Sequence, residues 1–280
     1  MKVKLAEEIF FKEILLSLYK LSNKSFIGEF KSAFKGLGLD FYQNRIFTQN
    51  DSIKLINWNL YAKLRTLYIK EYIEDRNRFN LILLDISSSM FQKFKNKSKI
   101  ETALQVVFAL LYSSLKSNDN TGLILFDNEI RYFFPFNRKL QYFFKILNML
   151  KSLYIEPKPT GYIEHLYKNI FNILKKRSQI FFVSDFSFKI NINLLTFLTQ
   201  KHSLTSILIL DKEEEKLSSV LKFYTSIEKP SLYKQIPYHV IVENTIKEFN
   251  KSNIDTIVIN TDEEVYSKLQ QFFEYKITKH

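Results

Sequence analysis

Residues 79–86, Phe-Asn-Leu-Ile-Leu-Leu-Asp-Ile, run almost without a polar break and stop at Ser87-Ser88-Ser89. The run is far too short to span a bilayer, and it does not alternate as a half-buried strand would. It reads as a strand covered on both faces, which is the condition of a parallel sheet whose crossover helices lie on each side. The segments that follow agree with that. Ile100, Leu104, Val107, Leu111 and Leu115 recur at helical spacing over 99–116, and Ser98 with Glu101 can form a capping box at the start. Strands 121–127 and 130–134 are joined across Asp127-Asn128-Glu129, which predicts a hairpin and hence one antiparallel strand beside a parallel sheet. Helices are expected at 139–152, 162–176, 190–200, 240–250 and 262–274. Strands are expected at 178–184, 203–210 and 255–259, with a polar irregular stretch reaching about residue 238. The alternation predicts an α/β fold: a doubly wound, mostly parallel sheet with helices on both faces.

Residues before this run read differently. Asp75-Arg76-Asn77-Arg78 marks a boundary between a segment 1–77 and a domain 78–280. The opening residues resemble a signal peptide only in part, since Glu7, Glu8, Lys12 and Glu13 interrupt any apolar core. Leu5, Ile9, Phe10, Ile14, Leu18 and Leu21 instead have the spacing of an amphipathic helix. With no stretch of about 20 apolar residues, a membrane span is not expected and the protein reads as cytoplasmic. Cysteine is absent, which excludes disulfides, thiolate metal sites and cysteine nucleophiles. The net charge of +12 raises nucleic acid as a partner, yet the lysines are scattered and the longest basic run is Lys175-Lys176-Arg177, so nucleic acid is not the expected ligand.

In such sheets ligands lie beyond the carboxyl ends of the strands. That places Asp85, Ser87 and Ser89 after the first strand, Asp185 after strand 178–184, and Thr160 in the loop Pro157-Lys158-Pro159-Thr160-Gly161 before a helix. Two carboxylates and three hydroxyls make a hard oxygen donor set suited to Mg²⁺ or Mn²⁺. Few charged ligands would leave such a metal electrophilic, with a position open to an outside carboxylate. The competing interpretation of Asp-x-Ser-x-Ser is a capping turn at a strand–helix junction.

Taken together, Asp85, Ser87, Ser89, Thr160 and Asp185 resemble, in order, the metal-ion-dependent adhesion site of von Willebrand factor A-like domains. The chain is also similar to the bacterial family called domain of unknown function 58, through Gly28, Phe34-Lys35-Gly36, Gly38-Leu39-Asp40-Phe41, Arg45, Phe47, Asp51, Lys54, Ile56-Asn57-Trp58 and Ala62-Lys63. The family pattern has Thr-Asp where this chain has Thr160-Gly161, so an outer acidic residue is missing. The resemblance implies a protein-binding adaptor working with a MoxR-type AAA+ ATPase, the ATPase or its client offering an Asp or Glu to the metal. The chain has five glycines and no Gly-x-x-x-x-Gly-Lys, so it carries no phosphate-cradling loop of its own. A structural interaction module without metal, prompted by Gly161, and a metal-dependent hydrolase are the alternatives. Against the last, no histidine is placed to activate a serine, and two carboxylates are few for a two-metal site.

Among other residues, Trp58 is expected as a core anchor, with a docking surface for a partner as the alternative. Arg45, Asp51 and Lys54 are expected as an ion-pair network fixing the first unit on the second. His165, His202, His239 and His280 show no ligand spacing and are read as structural or exposed.

Overall fold

The computed structural model describes residues 3–21, 24–34, 39–48, 51–74, 78–94, 97–159, 163–188, 190–212 and 238–279. The chain opens with β1 (Val3–Lys4), α1 (Glu8–Leu21), α2 (Lys24–Ala33), β2 (Leu39–Ile46), α3 (Trp58–Leu64) and β3 (Tyr68–Glu74). There follow β4 (Phe79–Asp85), β5 (Lys93–Phe94), β6 (Lys97–Ser98), α4 (Lys99–Lys116), β7 (Asn120–Phe126), β8 (Ile130–Asn137), α5 (Gln141–Lys151) and β9 (Tyr154–Ile155). The last part comprises α6 (Glu164–Ile173), β10 (Gln179–Ser184), α7 (Ile192–Lys201), β11 (Ser203–Leu210), α8 (Tyr238–Lys251), β12 (Asp255–Asn260) and α9 (Val265–Lys279). The expected irregular stretch between β11 and α8 falls almost wholly outside the described residues.

A six-stranded sheet in the order β12-β11-β10-β4-β7-β8 organises the protein. Neighbours from β12 to β7 are parallel, and β8 closes one edge antiparallel to β7, as the short connection at 127–129 predicts. At the edge, β8 accommodates Pro135, because a strand with one free side need not donate every N–H to a ladder. The strand order turns back between β4 and β10, which lie side by side although nearly a hundred residues separate them.

The strand β4 is buried on both faces, and its side chains divide by the period of two. Ile82 and Leu84 join one apolar cluster, with residues of α1, α2, α4, α5 and α9; Leu81 and Leu83 join a second, with residues of α6, α7 and α8. Helix α4 begins at the predicted capping box, with Ser98 and Glu101 satisfying each other's backbone N–H groups. Its burial exceeds that of an amphipathic helix: Ile100, Ala103, Leu104, Val107 and Leu111 are buried, and so are Thr102, Val106, Ala109 and Leu110. The reason is that α1, α2 and α9 pack over the side turned away from the sheet.

A second helix, α2, follows α1, where the amphipathic spacing predicts only one. Phe30 of α2 and Phe34, just beyond its end, lie tilted with ring centroids 5.2 Å apart and reach Phe181 of β10 at 6.2 and 5.2 Å, and Phe273 of α9 at 5.5 and 5.7 Å. The first helices thus share the core of the sheet. By contrast, β2 and β3 form a separate two-stranded ladder. Among the described residues no helix is long and apolar enough to cross a membrane.

Trp58 does not anchor a core. It is 59% exposed at the start of α3, edge-on to Tyr61, and α3 has no buried residue; the small apolar contact beside it is made by Ile56 and Ile69 instead. Asn57, beside it, caps α3 through Leu60 N–H and donates to Asn44 Oδ1, tying the short helix to β2. The ion pair also acts locally. Arg45 grips Asp51 in bidentate fashion at 2.8 and 2.6 Å, and Asp51 accepts two further hydrogen bonds from Thr48, holding its carboxyl well below the usual carboxylate range. The pair fastens the turn after β2; the side chain of Lys54 lies outside the described residues.

Candidate functional site

The strands β4 and β10 end side by side at the point where the strand order reverses, so their carboxyl-end loops share one cleft. Asp85 terminates β4 and Asp185 follows β10; both are buried. The loop after Asp85 turns through a short 3-10 segment, Ser88–Phe91. Asp85 Oδ1 accepts the Ser87 N–H at 2.8 Å, and Oδ2 accepts the Ser184 hydroxyl at 2.6 Å. Ser87 Oγ stands 3.1 Å from Ser89 Oγ, which in turn stands 2.8 Å from Ser187 Oγ. Asp185 repeats the turn of Asp85, accepting Ser187 N–H at 3.1 Å. Between them Phe186 has φ 50°, a left-handed conformation costly for a side chain of its size, and donates its N–H to Ser184 Oγ.

The structure therefore brings Asp85, Ser87, Ser89 and Asp185 to one place. Thr160 and Gly161 lie outside the described residues, but the loop leading to them is fixed at the site. Ser88 N–H donates to Lys158 O at 3.0 Å, and Asn128 Nδ2 donates to Pro159 O at 2.9 Å.

Burial, with the neighbouring Asp185 carboxylate, pushes Asp85 up to about 7 against the hydrogen bonds from Ser184 and Ser87. A cation placed here would reverse that preference for the proton. The donor geometry suits a small one. Adjacent ligands of an octahedral Mg²⁺ at about 2.1 Å stand about 3.0 Å apart, and the hydroxyls of Ser87 and Ser89 are 3.1 Å apart. Two hydroxyls and nearby carboxylates fit Mg²⁺ or Mn²⁺ in chemistry as well as spacing.

Three participants escape the sequence pattern. Ser184 and Ser187 belong to Ser184-Asp185-Phe186-Ser187, and Asp185 with Ser187 repeats the Asp-x-Ser spacing at the end of an apolar strand. The third is Lys99, the first residue of α4. Its Nζ lies 2.7 Å from Asp185 Oδ2, and both side chains are 1% exposed. A lysine in the first turn opposes the helix dipole, a sign in the sequence that it answers to a carboxylate elsewhere. Beside Asp185 opens a cavity of about 290 Å³ lined by Phe186, Phe188, Ile190, Leu208 and Val242, with Thr245 and Glu248 also on its wall.

A family model described as "Protein of unknown function DUF58" matches residues 43–226. No curated protein matches the chain. Among solved structures, the chain is similar to the conserved hypothetical protein BatB from Bacteroides thetaiotaomicron, at 15% identity and a TM-score of 0.49, over 73% of this chain and 100% of that one. It is also similar to an aerotolerance-related membrane protein from Bacteroides fragilis, at 14% identity and a TM-score of 0.46, over the same shares of the two chains.

Proposed function

We propose that this chain, which belongs to the DUF58 family, is a metal-dependent protein-binding adaptor that captures an acidic side chain of its partner. The observation that carries this reading is the convergence of Asp85, Ser87 and Ser89 at the β4 end with Asp185 at the β10 end. The strand order and the two helix-covered clusters support reading the sheet as a doubly wound, von Willebrand factor A-like one. A bound Mg²⁺ or Mn²⁺ supplies a positive centre with a coordination position open to a carboxylate from outside. Ser87 and Ser89 would hold it, Asp85 would ionise against it, and Asp185 would balance charge from the second loop. Binding is favoured over hydrolysis by the hydroxyls of Ser87, Ser89 and Ser187, which bond one another in a chain.

The partner we propose is a MoxR-type AAA+ ATPase or a client it remodels. The absence of a phosphate-cradling Gly-x-x-x-x-Gly-Lys in this chain supports assigning nucleotide hydrolysis to another protein. The test immobilises the full chain and offers it a MoxR-type ATPase of the same organism in Mg²⁺ or in EDTA. Retention in Mg²⁺ that disappears both in EDTA and with Asp85→Ala is the expected result. Capture unchanged by either treatment rules the reading out.

A further inference from the structure

The geometry points to Lys99 as a tethered cation that sets the charge of this site, so that a divalent metal bound beside Asp85 leaves it net positive and selective for an anionic partner group. The inference rests on the metal-binding reading above and concerns what the bound site can recognise.

Asp85, Asp185 and Lys99 are all buried, Lys99 and Asp85 each next to Asp185, and their formal charges set the balance there. Asp85 and Asp185 contribute two negative charges when ionised, and Lys99, 2.7 Å from Asp185 Oδ2, contributes one positive. A divalent cation then brings the total to plus one. Without Lys99 the total would be zero, and an incoming carboxylate would leave the buried site net negative, which low local polarity penalises heavily. The ammonium has no route to water, since Lys99 is 1% exposed, so solvent does not dilute its charge. Its position is fixed as well: the capping box of Ser98 and Glu101 starts α4 at Lys99, and Lys99 therefore meets Asp185 from a rigid helix end. Asp185, occupied by Lys99 and by Ser187 N–H, is left as a charge-balancing carboxylate, while Ser87 and Ser89 are the donors nearest to each other.

This arrangement sets two effects in opposition, which a merely structural lysine would not do. Removing the ammonium should strengthen metal binding, because a like charge leaves the pocket. It should weaken carboxylate binding to the metal-loaded site.

The experiment titrates Mn²⁺ into the full chain by calorimetry and follows acetate through the relaxation of water protons on the bound Mn²⁺. The chains compared are wild type, Lys99→Met, and the double variant Lys99→Met/Asp185→Asn. Circular dichroism checks that each is folded. Lys99→Met should bind Mn²⁺ at least about tenfold more tightly and lose the acetate response. The double variant restores the plus-one total with no lysine present and should regain the acetate response. It also removes the Asp185 charge that Lys99→Met leaves unpaired, so it decides the matter if Lys99→Met does not fold. An acetate response in Lys99→Met equal to wild type, or none in a double variant that binds Mn²⁺, overturns the inference. If wild type binds no Mn²⁺ but Lys99→Met does, Lys99 excludes the metal, and the adaptor reading and the inference both fall. If no chain binds Mn²⁺, both fall.

Discussion

Ser184 Oγ lies 2.6 Å from Asp85 Oδ2, a hydrogen bond between the ends of two adjacent parallel strands separated by nearly a hundred residues of chain. It closes a relay in which Ser184 donates to Asp85 while accepting Phe186 N–H, so the two loops of the site are built on one another. The relay holds a buried carboxyl that, through burial and the charge of Asp185, keeps its proton to about 7. A site that disfavours its own ionised state is poised to gain from a cation.

The first prediction concerns Asp85 without metal. Its folded pKa stands above the unfolded value of 3.8, so its contribution to stability is complete below that value and is lost as pH rises toward 7. Asp85→Asn removes the titrating proton and should raise metal-free stability at pH 8 by about 2 kcal/mol, read by urea unfolding. Loss of stability at pH 8 beyond that seen at pH 4 would contradict the assignment.

Much of this was legible in the residue pattern, for physical reasons that can be named. The unbroken apolar run at β4 admits few readings, and the capping box marks the start of α4 to the residue. The meeting of Asp85, Ser87, Ser89 and Asp185 follows from their places just beyond the carboxyl ends of two strands that pair as neighbours. Lys99 did not follow, because its partner is 86 residues away and only tertiary folding joins them. Trp58 is exposed although its size and apolarity predict burial, because α3 buries none of its residues and Ile56 and Ile69 fill the small apolar contact beside the two-stranded ladder. Helix α2 was hidden because it starts at Lys24, close behind the end of α1 at Leu21, and the placement of Thr160 stands outside the described residues.

The second prediction tests whether the N-terminal helices are part of the main core. Phe30 is 1% exposed among Phe34, Phe181 and Phe273. Phe30→Ala should cost about 3–5 kcal/mol in a single cooperative unfolding transition. A variant that unfolds its first helices separately, leaving the main transition unmoved, would show that the sheet does not depend on them.

A third prediction follows from His202, which is buried with neither ring nitrogen hydrogen-bonded among the described residues. Burial, then the charges of Lys201 and Arg177, pushes it down to about 4 from 6.5. Its folded pKa is the lower one, so stability is complete above 6.5 and falls as pH drops from there toward 4. His202→Phe should flatten that limb of the profile, measured by thermal unfolding between pH 4 and 7; an unchanged slope would locate the acid sensitivity elsewhere.

The cap of α4 gives a fourth. Ser98→Ala removes the side chain that satisfies the helix start and should cost about 1 kcal/mol. Chemical unfolding measures this directly, and no loss would mean the Glu101 half of the box suffices.

The most direct test of the account is a calorimetric titration of the full chain with Mg²⁺ and with Mn²⁺, repeated on Asp85→Asn. Saturable binding of one ion per chain, absent in the variant, is the predicted result. Unsaturable heats in wild type, or the same isotherm with and without Asp85, would contradict the claim that the β4 and β10 loops form a metal-dependent docking site.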